Sequence, residues 1–156
     1  MDNCMLVSKP ALHLVGISYS GPYSTIPDEA IRLQGEFQAR KHELNDSVIS
    51  NAIYSPYYGN EAFATYWACC AVRRQEQAPK GMVQFTIPER TYALVSCTNK
   101  RIGEGYEQIF SWMREHSLIK EEKAVAIEIY YVDEHLEEEQ VELLIPVVQH
   151  DRTGSQ

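Results

Sequence analysis

Motifs that mark common enzyme classes are missing from this 156-residue sequence. It has no Gly-x-Ser-x-Gly elbow, no Gly-x-x-x-x-Gly-Lys-Ser/Thr loop and no Gly-x-Gly-x-x-Gly turn, so a hydrolase elbow, a phosphate loop and a dinucleotide site are all unsupported. Histidines 13, 42, 116, 135 and 150 are scattered without a His-x-x-x-His pair, and each reads as a surface or packing residue. Cys4, Cys69, Cys70 and Cys97 show no Cys-x-x-Cys spacing, and adjacent Cys69 and Cys70 would point to opposite faces of a strand. Neither a disulfide framework nor a zinc site follows, and we expect no metal and no cofactor.

Basic residues are also scarce. Fourteen Lys and Arg stand against 22 Asp and Glu, a formal charge of −8, and no basic cluster exceeds pairs such as Arg73-Arg74 and Lys100-Arg101. Such a chain repels phosphates, which argues against direct DNA binding. The apolar stretches, such as Val141 to Val148, are too short to cross a bilayer, and Met1 to Val7 carries Asp2 with no basic segment. The expectation is a cytoplasmic chain without a membrane partner.

What is present suffices for a core, with 44% hydrophobic and 23% charged residues. We expect one domain over 1–149, in halves of about 10–74 and 82–149, and a polar tail at 150–156. His13 to Tyr19 reads as a strand ended by Gly21-Pro22. A helix follows, with Pro27, Asp28 and Glu29 suited to its first turn and Ala30, Leu33, Phe37 and Leu44 at helical spacing. Ala52 to Gly59 and Phe63 to Arg73 read as strands, and Gln75 to Gly81 as a connection. The pattern then restarts. Met82–Ile87 and Tyr92–Cys97 flank Pro88-Glu89 as a kinked strand or a pair of short strands; Gly103 to His116 is a helix; Ala124–Val132 and Val141–Val148 are strands, with Glu137-Glu138-Glu139 a solvated turn between them.

The order strand, helix, strand, strand occurs twice. Two such halves can pair their sheets about a pseudo-twofold axis, with helices covering one face and a concave opposite face open to a ligand.

Four ordered segments carry a resemblance: Phe85-Thr-Ile-Pro-Glu-Arg-Thr-Tyr-Ala93, Tyr106-Glu-Gln-Ile-Phe-Ser-Trp112, Ile127-Glu-Ile-Tyr130 and Val141-Glu-Leu-Leu-Ile-Pro-Val147. In order and spacing they resemble the GyrI-like, or multidrug effector-binding, domain family. Tyr57-Tyr58-Gly59 and Tyr66-Trp67 fit its stand-alone and integron-cassette branch. The resemblance implies an α+β fold with an eight-stranded antiparallel sheet, two helices on one face, and a cleft between the halves for lipophilic organic cations. Some relatives carry a DNA-binding segment. Only about a dozen residues precede the first expected strand here, so none is expected. Other relatives are hydrolases of strained-ring natural products or are associated with gyrase protection. The resemblance therefore leaves open an enzyme, with Glu128 as general base, or an acidic protein-interaction module whose partner is unidentified.

Glu128 is the most informative residue. Alternation along Ala124 to Tyr131 puts Val125, Ile127, Ile129 and Tyr131 on one face, the better core face, and Ala126, Glu128 and Tyr130 on the other. A strand glutamate on a solvated face needs no function; the resemblance implies instead that Glu128 faces the cleft and pairs with a ligand cation. Among 10 Tyr, 4 Phe and 2 Trp, those on strands or their ends are aromatic-wall candidates: Tyr57, Tyr58, Tyr66, Trp67, Tyr92 and Tyr130. Only one of the neighbours Tyr66 and Trp67 can face the cleft, and we favour Trp67 because Tyr66, Ala68 and Cys70 form a compact alternate set. Phe110 and Trp112 lie on the second helix and read as structural, and the cysteines read as buried packing.

Overall fold

A computed structural model of the chain describes residues 3–73, 77–133 and 135–149, with backbone alone at 45–47; the expected tail at 150–156 lies outside the described residues. The strands are β1 (Cys4–Lys9), β2 (Leu12–Pro22), β3 (Ala52–Gly59), β4 (Phe63–Ala71), β5 (Val83–Ile87), β6 (Arg90–Thr98), β7 (Ala126–Tyr131) and β8 (Gln140–Pro146), and the helices are α1 (Ile26–Arg40) and α2 (Ile102–Glu115). All eight strands form one antiparallel sheet in the order β1-β6-β8-β7-β3-β4-β2-β5. The fold is α+β, as expected.

The repeat is one strand longer than the sequence pattern suggests. Each half runs strand, strand, helix, strand, strand, because β1 at Cys4–Lys9 precedes the first expected strand. The two halves meet where β3 pairs β7, and each half sends its leading strand to the far edge of the other: β1 pairs β6, and β5 pairs β2. Pro10-Ala11 and Pro88-Glu89 interrupt the pairing between Lys9↔Arg90 and Leu12↔Ile87, where proline supplies no ladder donor. The register carries on unchanged across that kink, so β1–β2 and β5–β6 make one bent ribbon joining the two edges of the sheet.

That ribbon curls the sheet and fills its helix-free face. Leu12, Leu14, Phe85, Ile87, Tyr92 and Leu94 pack there with Ile127, Ile129 and Leu144 from the central strands. The expectation of an open concave surface opposite the helices is corrected: that side is core. The opposite face carries α1, through Leu33 and Phe37 over Val15, Ile17, Ala68 and Cys70, and α2, through Ile109 and Met113 over Val95, Val141, Leu143 and Ile145.

The helices form where local signals place them. In α1 a proline and the acidic pair Asp28 and Glu29 occupy the first turn and Arg40 the last, complementing the helix dipole. Its α-helical part stops at Arg40 and continues as a 3₁₀ segment, Lys41–Ser47, which still buries Leu44. Helix α2 sits close to the sheet because Gly105 has no side chain; a Cβ there would lie 2.9 Å from Leu143 Cδ1 and 3.0 Å from Cys97 Sγ. Between the helices the β3/β7 seam is left for longer, polar side chains.

Candidate functional site

At that seam Ser55 on β3 stands opposite Glu128 on β7, and Tyr57 opposite Ala126. Both facing polar side chains are buried, Ser55 at 0% and Glu128 at 8% exposure. A carboxylate so placed must recover the hydration it loses. Three tyrosines do this: Tyr66 and Tyr130 donate to Glu128 Oε1 at 2.9 and 2.8 Å, and Tyr106 donates to Oε2 at 2.6 Å. No ion pair among the described residues involves Glu128.

Each donor comes from a different element. Tyr130 is two residues along β7 and so shares the face of Glu128, Tyr66 arrives from β4, and Tyr106 descends from α2. Helix α1 adds Gln34, whose Nε2 donates to the Tyr66 hydroxyl at 3.1 Å. Tyr57 closes the ring: its hydroxyl is 2.6 Å from that of Tyr106, and its ring stacks on Tyr66 with centroids 6.3 Å apart. Burial, reinforced by the negative charge of Glu128, raises the phenols of Tyr57, Tyr66, Tyr106 and Tyr130 above their usual pKa. They therefore stay protonated and available as donors.

Of the expected site residues, the structure brings together Glu128, Tyr130, Tyr57 and Tyr66. Trp67 and Tyr92 lie on the other face of the sheet. Trp67 packs on Phe85 with centroids 4.7 Å apart, and Tyr92 is 1% exposed within the helix-free core. The preference for Trp67 over Tyr66 is thus corrected; alternation allows one of them to face Glu128, and the helices cover the side of Tyr66. Tyr106, Gln34 and Ser55 were not expected. Tyr106 belongs to the apolar stripe of α2, which looks the same whether it ends on aliphatic core or on a carboxylate. Phe110 stacks on Tyr106 and is 36% exposed, while Trp112 packs against His116.

A small cleft of about 60 Å³ lies further along the seam, lined by Tyr57, Tyr58, Gly59, Lys120, Glu122, Ala124 and Ala126. Tyr57 lines this cleft and is linked through the Tyr106 hydroxyl to Glu128. Among the described residues no cluster of His, Cys, Asp and Glu could hold a metal ion. Burial pushes the thiols of Cys70 and Cys97 up to about 11 and raises that of Cys69 well above its usual value, so they stay neutral at pH 7 and pack as small apolar groups. No helix of the described residues is long and apolar enough to cross a membrane.

Comparison with known proteins decides the family, since the sequence model of the GyrI-like small molecule binding domain matches residues 2–148. The chain belongs to this GyrI-like family. It is 29% identical over 154 residues to the transcriptional regulator BrlR of Pseudomonas aeruginosa, covering 91% of this chain and 54% of that protein, so it spans about half the length of this relative. In fold, this GyrI-like domain is similar to SAV2435 bound to tetraphenylphosphonium (TM-score 0.71, 16% identity, 93% of each chain). It is equally similar to the EcmrR C-terminal domain (TM-score 0.72, 15% identity, 96% of this chain and 99% of that one).

Proposed function

We propose that this domain binds lipophilic organic cations at the seam between its helices, with Glu128 as the counter-charge, and serves to sense or sequester a drug or metabolite. The observation that carries the reading is a buried carboxylate surrounded by tyrosines, with no cationic side chain paired to it among the described residues. The tetraphenylphosphonium held by a protein of the same fold supports it.

The physics selects this ligand class. A unit charge about 4 Å from Glu128 gains roughly 4 kcal/mol at an effective dielectric constant of about 20. A small, strongly hydrated cation loses that gain on leaving water. A delocalised or hydrocarbon-wrapped cation loses less and adds apolar burial, with cation–π attraction of about 0.5–2 kcal/mol from each tyrosine face it meets. The cleft beside Tyr57 is the way in. Tyr57 is tethered at its hydroxyl to Tyr106, so turning its ring aside opens a path from Ala126 to Glu128.

Calorimetric titration with tetraphenylphosphonium tests the reading. Saturable binding weakened at least ~10-fold in Glu128→Gln is expected; binding equal in the two proteins contradicts it.

A further inference from the structure

The hydrogen-bonding capacity of the seam is not fully used. A carboxylate offers about four lone-pair positions. Three hydroxyls occupy Glu128, two on Oε1 and one on Oε2, which leaves capacity on Oε2. Directly across the β3/β7 ladder Ser55 is 0% exposed, and its Oγ makes no hydrogen bond. It lies near the Tyr66 hydroxyl, which already donates to Glu128 Oε1 and accepts from Gln34.

The position of Ser55 is costly in a second way. Pro56 follows it in a central strand, and β3 registers with β4 at Tyr54↔Cys69 and next at Tyr57↔Tyr66. The ladder to β4 is thus interrupted beside Ser55, because proline has no N–H to give. A buried hydroxyl without a partner costs about 1–3 kcal/mol, and an alanine there would pack without that cost. Directly opposed residues on adjacent strands have Cβ atoms about 4.5–5.5 Å apart. One atom bearing two hydrogens, or one hydrogen shared between two acceptors, can therefore bridge Ser55 Oγ and Glu128 Oε2.

We propose that Ser55 accepts a hydrogen bond from an N–H of the bound cation, so that the ligand of this site is a protonated lipophilic amine rather than a quaternary cation. The inference rests on the cation reading above and narrows it. Glu128 supplies the charge and one acceptor; Ser55 supplies a second acceptor that only a proton-bearing cation can use. A quaternary ammonium or phosphonium still gains the Coulomb attraction but leaves both acceptors unmet.

The test is a matched set of probes: a diphenylalkyl dimethylamine, its N-methylated quaternary form and the uncharged hydrocarbon of the same shape, titrated at pH 7 against the wild type, Ser55→Ala and Glu128→Gln. The expected result is wild-type affinity about tenfold higher for the amine than for the quaternary form, the size of one charge-assisted hydrogen bond. In Ser55→Ala the ratio falls several-fold, the N–H bond to Glu128 Oε2 accounting for what is left, while quaternary binding is retained. Equal wild-type affinities that both depend on Glu128 overturn the role of Ser55 and leave the cation reading standing. A preference undiminished in Ser55→Ala assigns it to another acceptor and also overturns the proposal. Binding of neither cation, or no dependence on Glu128, overturns both. The wild-type ratio needs no variant, so poor folding of Ser55→Ala would not spare the proposal from a ratio of one.

Discussion

Tyr106 Oη lies 2.6 Å from Glu128 Oε2, and this one hydrogen bond ties α2 to the strand at the centre of the sheet. The same hydroxyl is 2.6 Å from that of Tyr57, so a single phenol links the helix, the carboxylate and the wall of the cleft. The hydrogen is shared out in one order only: Tyr106 donates to the carboxylate and accepts from Tyr57.

Tyr106→Phe removes a charge-assisted bond and leaves the Tyr57 hydroxyl without its acceptor. Urea unfolding should show a loss of about 1.5–3 kcal/mol. An unchanged midpoint would mean that water replaces the phenol at no cost.

Gly105→Val tests whether the close seating of α2 positions Tyr106. The added side chain meets Leu143 and Cys97 at 2.9–3.2 Å from its Cβ alone. Overpacking of this kind costs about 1–3 kcal/mol. Cation affinity should fall in the same variant, because Tyr106 moves with the helix, whereas stability loss with unchanged affinity would separate the two.

The tyrosine network makes a prediction about alkaline pH. The folded-state pKa values of Tyr57, Tyr66, Tyr106 and Tyr130 are raised, so folding favours their neutral forms. Their contribution is complete below the unfolded tyrosine value of about 10 and is lost as pH climbs from there toward the folded values. Unfolding free energy measured in urea from pH 8 to 11 should therefore fall, beginning near the unfolded thiol value of about 8.5 because Cys69, Cys70 and Cys97 are raised as well, and more steeply above about 10. A rise over that interval would contradict the assigned directions.

Much of the fold was legible because alternation and helical spacing are local properties. The stripe of Leu33 and Phe37 in α1 and the pairing of Glu128 with Tyr130 on one face both follow from chain geometry alone. Strand β1 was not legible. Its partner β6 is far along the chain, Cys4 pairing with Val95, and its edge position leaves Met5 and Leu6 half exposed, so it lacks the signature of a core strand. The choice between Tyr66 and Trp67 failed for a related reason. Local periodicity separates two faces without saying which carries the helices; that is decided by the ribbon bent at Pro10 and Pro88, which seals one side. Tyr106 and Gln34 reach Glu128 from the two helices, and no local pattern along either helix reports that meeting.

The cleft beside Tyr57 yields a further expectation. Ala124→Trp fills the space beside Gly59 and Ala126 at the half-exposed approach to the seam. Cation binding should weaken several-fold while the urea midpoint stays within about 0.5 kcal/mol of wild type, as for other surface substitutions. Undiminished binding would place the way in elsewhere.

The most direct measurement compares one lipophilic cation with its uncharged isostere, titrated calorimetrically against the wild type and Glu128→Gln. The account predicts that the wild type prefers the cation by at least ~10-fold and that Glu128→Gln removes this preference with little change for the neutral compound. Equal affinity of the wild type for both compounds, or a preference that persists in Glu128→Gln, would contradict a cation site built on Glu128.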